Sequence, residues 1–161
     1  MRVQRRYTVE GESPYARLAF RSATSEIRNP DGSIIFRQDA IEAPGDWSQV
    51  ACDVLAQKYF RRAGVPAALR AVREDDVPAW LWRHEPDDAA LASMSVGARF
   101  GGETDSRQVF HRLAGTWTYW GWKGGYFDGE QDARAFYDEL CFMLAAQIGA
   151  PNSPQWFNTG L

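Results

Sequence analysis

Four side chains in this sequence could ligate a soft metal or act as nucleophile or general base: Cys52, His84, His111 and Cys141. They are spread along the chain about thirty residues apart, whereas structural zinc sites use close pairs such as CxxC. No metal ligand is therefore assigned. Each cysteine falls within a helical, largely apolar pattern, which predicts buried structural thiols rather than nucleophiles. The acid pairs Asp75/Asp76 and Asp87/Asp88 lie beside prolines with no partner base in view. Solvated helix caps account for them, and no catalytic residue is assigned.

Two further stretches carry chemistry. The aromatic run "TWTYWGWKGGYFDG", residues 116–129, could stack bases, but single-strand binding also needs a basic groove and the run offers only Lys123. With a net charge of -3 there is no electrostatic reason to seek a polyanion. Packing is the better reading: on a helix Trp117 and Trp120 share a face with Leu113, while Tyr119 and Trp122 point the other way and require cover. The second stretch is "APNSPQWFNTGL", residues 150–161. Its "PNSP" is a turn in which Asn152 and Ser153 can bond their own backbone. Such a turn presents free N–H groups and a hydroxyl to the phosphate or ribose oxygens of a ligand. From spacing alone the better reading is that it merely ends a helix and redirects the chain. "QWFN" reads as the start of a strand or core segment.

These residues must be held by elements that the pattern predicts. "NPDG" at 29–32 is a turn signal before the β-branched "SIIF", giving a hairpin of roughly 22–28 and 33–38. A helix follows, capped by Asp46 or Ser48, running to about Arg62 and stopped by Gly64 and Pro66. Residues 67–104 suit short helices or loops crossing the surface. Asp105 or Ser106 then caps a helix with Val109, Phe110, Leu113, Trp117 and Trp120 at helical spacing. A second helix starts near Gln131, buries Phe136, Leu140 and Leu144 and ends at Gly149 and Pro151. Hydrophobic residues are 45% and charged residues 24%, a globular balance. No signal peptide, internal repeat or membrane-length apolar run is evident, and two cysteines suit a reducing cytoplasm. The architecture predicted is mainly α with an N-terminal β-hairpin.

The closing stretch resembles the motif of adenosylcobalamin-dependent (class II) ribonucleotide reductases where the N-terminal region meets the catalytic barrel. "NPDGSIIF", "WSQVACDVLAQKYFRRAGVP" and "RQVFHRLAGTWTYWGWKGGYFD" are similar to that region of the family's long forms, in the same order, so that the likeness covers roughly residues 23–161. The resemblance implies an N-terminal domain over 1–104, then a helical pair and the start of a ten-stranded α/β barrel over 105–161, truncated at 161. It implies reduction of ribonucleotides to 2′-deoxyribonucleotides by a thiyl radical generated with adenosylcobalamin. The cofactor would be bound by the missing catalytic portion, and the NSP serine, here Ser153, would contact substrate. The family's redox and radical cysteines lie downstream of this motif, so Cys52 and Cys141 inherit neither role and the fragment alone is expected to be inactive. The implied partners are the remainder of the reductase, the ribonucleotide and a second subunit in a homodimer, with neither nucleic acid nor membrane. The rival reading is a free-standing helical interaction module that docks through Tyr119, Trp122, Trp156 and Phe157.

Overall fold

The expected hairpin is the first regular element of the computed structural model, which describes residues 1–160. Strands β1 (Phe20–Arg28) and β2 (Ile34–Pro44) pair antiparallel around the predicted turn. Gly32 takes the positive φ of 88° that closes this turn, and the Asp31 carboxylate accepts from both the backbone and the hydroxyl of Ser33. The hairpin is longer than the pattern suggested because the alternation is broken: the register shifts between Ala23 and Ser25, opposite Ala40 with φ 55°. Beyond that bulge Ile41 and Ala43 face inward and are fully buried.

Helix α1 (Gln49–Val54) begins at Ser48, whose hydroxyl accepts from the Ala51 backbone N–H. It does not run on as α-helix to Arg62. Residues Leu55–Tyr59 form a single π-helical turn, closed when Phe60 N–H donates to the Leu55 carbonyl at 2.9 Å. The segment that follows holds four strands of two or three residues: β3 (Val65–Pro66), β4 (Leu69–Ala71), β5 (His84–Pro86) and β6 (Phe100–Gly101). Helix α2 (Asp88–Ala92), capped by Asp87, lies between the last two. β3 pairs with β6 and β4 with β5, both antiparallel.

Helix α3 (Ser106–Lys123) starts with a capping box in which Asp105 and Gln108 satisfy one another's backbone N–H groups. Helix α4 (Glu130–Ala145) packs along it, and α5 (Ser153–Asn158) closes the described chain. The described residues are thus 39% helical and 19% strand. The expectation of a mainly α chain entering a barrel is corrected: the architecture mixes five α-helices with three two-stranded antiparallel sheets, and no barrel is formed among the described residues. The extra strands are pairings between distant short segments, which local periodicity does not register. "QWFN" is likewise helix, because Pro154 sits in the first turn where its missing N–H costs nothing. Among the described residues no helix is long and apolar enough to cross a membrane.

One core joins these elements. Phe110 and Leu113 from α3 are fully buried against Ile41 of the hairpin, Leu55 of the π-turn, Leu144 of α4 and Trp156 of α5. Trp47 enters the same core and donates its indole N–H to the Ala145 carbonyl at 2.7 Å, so its polar atom is satisfied. The N-terminal arm is strapped across α4. Val3 N–H donates to Asp132, Arg5 pairs with buried Asp138 at 2.8 Å, and Glu139 accepts from Tyr7 and Thr8.

Candidate functional site

Ser153 is the first residue of α5 and is exposed. Its hydroxyl does not turn back on its own backbone as the turn chemistry suggested, and Asn152 makes no side-chain cap either. Instead Ser153 Oγ lies 2.9 Å from the hydroxyl of Tyr59, the last residue of the π-turn. The Tyr59 ring stacks on Trp156, with centroids 5.4 Å apart and planes 22° from parallel, and leans on Phe157 at 5.9 Å. A hydroxyl on the open end of a short helix, fixed by a phenol behind it, can exchange a hydrogen bond with an oxygen of a bound ligand.

α5 is anchored from below by a buried ion pair. The Arg112 guanidinium, on α3, donates from Nε to Glu103 Oε1 at 2.8 Å and from Nη2 to Oε2 at 3.2 Å. Its remaining N–H groups go to the carbonyls of Trp156 (2.6 Å), Thr159 (3.3 Å) and Tyr59 (2.8 Å). One side chain therefore clamps both ends of the Tyr59–Ser153 contact. Gly160 closes against the same arginine: a Cβ there would lie 2.7 Å from the Arg112 Cβ, at a φ of 75°. Sequence reasoning missed Tyr59, Glu103 and Arg112. The available signal was Arg112 itself, a charge set at helical spacing among the apolar Val109, Phe110, Leu113 and Ala114.

The other chemistry-bearing residues are placed elsewhere. Cys52 and Cys141 are buried free thiols. Burial pushes the Cys52 thiol up, and pushes that of Cys141 up to about 11 against the pull of the Tyr15 and Tyr137 hydroxyls. His84 and His111 meet on an open cavity of about 690 Å³ between α3, α4 and the Trp80–His84 segment, walled by Trp80, Trp120 and Tyr137. His111 Nδ1 is 2.8 Å from the Tyr137 hydroxyl. Its imidazole is held below the usual range by burial first and then by the neighbouring His84 and Arg134 charges. The arginines on this cavity are already engaged: Arg112 with Glu103, Arg134 with Asp138 at 3.2 Å and Arg83 with Glu74 at 3.7 Å. Among the described residues no three His, Cys, Asp or Glu side chains gather as a metal cluster.

The aromatic run finds its cover within the chain. The Tyr119 hydroxyl donates to Glu74 and the Trp122 indole to the Asp76 carbonyl at 2.6 Å, while Trp117 packs on the core. Trp156 is buried too, so of the four residues expected to form a docking face only Phe157 stays exposed. Trp120, expected on the apolar face, is instead 57% exposed on the cavity wall.

Residues 21–147 match the family model of the class II vitamin B12-dependent ribonucleotide reductase. The chain belongs to that family. Vitamin B12-dependent ribonucleotide reductases from Bradyrhizobium diazoefficiens and Agrobacterium fabrum are each 62% identical to it over 161 residues, all of this chain. That of Rhodopirellula baltica is 31% identical over 152 residues, 94% of the chain. The chain spans only 13% of the length of the first two relatives. Ser153 lies beyond the stretch matched by the family model but inside the full-length alignments with both 62% relatives.

Proposed function

We propose that this chain is the N-terminal part of an adenosylcobalamin-dependent ribonucleotide reductase of the cytoplasm, which reduces ribonucleotides to 2′-deoxyribonucleotides for DNA synthesis. Its own contribution is to present Ser153 to the ribose or phosphate oxygens of the substrate. The observation that carries this reading is the exposed Ser153 hydroxyl, pinned by Tyr59 on a helix that the buried Arg112–Glu103 pair anchors. Cys52 and Cys141 are buried free thiols, and the radical and redox cysteines are assigned in this reading to the remainder of the reductase.

The relatives' name implies a cobalamin, and the side chains described here do not fit it. The cavity of about 690 Å³ is the size of a pocket for one drug-sized ligand, smaller than a corrin with its nucleotide and adenosyl arms. His111 on its wall is engaged with Tyr137. In this reading the cofactor is held by the remaining portion of the reductase.

The test is a chimera in which this chain replaces the matching 161-residue stretch of the Bradyrhizobium diazoefficiens reductase. One hydrogen bond contributes about 0.5–1.5 kcal/mol to a neutral partner and about 3 to a charged one. Ser153→Ala should therefore lower kcat/KM by roughly 2- to 150-fold. Cys52→Ser and Cys141→Ser should retain turnover in whatever fraction folds. A full-strength Ser153→Ala enzyme beside a dead but folded cysteine variant would reverse these roles.

A further inference from the structure

We propose that Tyr59 is a positioning residue for Ser153, holding its hydroxyl in the orientation that engages substrate; the inference rests on the reading of Ser153 given above. Three features of Tyr59 point the same way. Its hydroxyl is 2.9 Å from Ser153 Oγ, across 94 residues of sequence. Its ring is stacked on Trp156 and tilted against Phe157, so the phenol cannot swing away without giving up both ring contacts. Its carbonyl accepts from Arg112 Nη2 at 2.8 Å, which fixes the backbone end as well. An exposed serine hydroxyl with no partner is free to change its orientation, and a partner that fixes it lowers the entropy lost when substrate binds.

Either hydroxyl could donate in this contact. In the proposed arrangement the phenol, the better donor of the two, donates to Ser153 Oγ and the serine proton is turned outward. Ser153 is then presented as a donor to an acceptor oxygen of the nucleotide. The π-turn makes this possible. It inserts an extra residue into the helical repeat at Leu55–Tyr59 and brings Tyr59 round to α5, while Leu55 and Ala56 stay in the core.

The test uses the same chimera with Tyr59→Phe, Ser153→Ala and the double variant. Tyr59→Phe keeps the stacked ring and deletes only the hydroxyl, and urea unfolding of the chimera checks that its stability is retained. The expected result is a rise in KM with kcat nearly unchanged, lowering kcat/KM by roughly 2- to 13-fold, the worth of one neutral hydrogen bond. Ser153→Ala should cost less in the Tyr59→Phe background than in the parent, because the positioning is already lost. If Ser153→Ala impairs the enzyme while Tyr59→Phe does not, or if the two effects multiply independently, the role of Tyr59 is overturned and that of Ser153 stands. If Ser153→Ala leaves kcat/KM unchanged, the reading of Ser153 fails and the role of Tyr59 with it.

Discussion

Replacing Arg112 with methionine keeps most of the aliphatic volume and removes the charge that ties α5 to the core. Its side chain is 7% exposed and that of its partner Glu103 is 4% exposed, so neither is relieved by solvent. Breaking one side of a buried pair costs about 3–5 kcal/mol, because the surviving charge stays desolvated and unmatched. Glu103 would keep only the Arg61 backbone N–H, at 2.8 Å, among its close donors. The carbonyls of Tyr59, Trp156 and Thr159 would lose theirs as well. For a domain of this size each kcal/mol lowers Tm by about 2–4 °C, so Arg112→Met should melt roughly 6–20 °C below the parent. Urea denaturation of the 161-residue chain, followed by tryptophan fluorescence, measures the loss without the screening that guanidinium would add. The second substitution gives a sign to test. Glu103→Gln should destabilise the parent, where it weakens the pair, but stabilise the Arg112→Met variant, where it removes an orphaned carboxylate. A loss below about 1 kcal/mol for Arg112→Met, or the same sign for Glu103→Gln in both backgrounds, would refute the clamp.

Two further outcomes follow from buried titratable groups. Cys141, fully buried with its thiol pushed up to about 11, should resist iodoacetamide at pH 8 in the native chain and react promptly in urea, as mass spectrometry of the alkylated protein would show; equal rates would mean that the thiol is open. Burial pushes the Glu139 carboxyl up, but hydrogen bonds from Thr8, Arg6 and Tyr7 outweigh it and hold the pKa below the usual range. The folded state therefore gains from ionised Glu139 above the unfolded pKa of about 4.3, and that gain is lost as pH falls through the lower folded value. The urea midpoint of the parent should fall more steeply below about pH 4 than that of Glu139→Gln, and parallel curves would contradict the assignment.

What could be read from the sequence divides along physical lines. The hairpin turn, the Asp105 start of α3 and the course of α4 were legible, because each is set by neighbours within a few residues. The two small sheets were not, since Val65–Pro66 and His84–Pro86 are too short to show a period and pair with segments up to 36 residues away. The π-turn carries no compositional mark; an α-helix and a π-turn bury the same apolar residues. α5 could have been found, because a proline one residue after Ser153 is a helix-start signal, but the bulky residues behind it favoured a strand. Ser153 itself was legible only as a turn hydroxyl. Its partner, 94 positions earlier, was invisible to any local rule.

The arm across α4 imposes an order of assembly. Arg5, Tyr7 and Thr8 are synthesised well before their partners: Asp138 and Glu139 follow more than 130 residues later. At about 5–20 residues per second the arm waits roughly 7 to 26 s for its binding strip to be synthesised. Through that interval Arg5, Tyr7 and the Val3 backbone N–H remain without the partners that α4 supplies, Asp138, Phe142 and Asp132. This arm is thus secured only once α4 exists, and a nascent-chain protease probe should find it cleavable until the end of α4 has emerged.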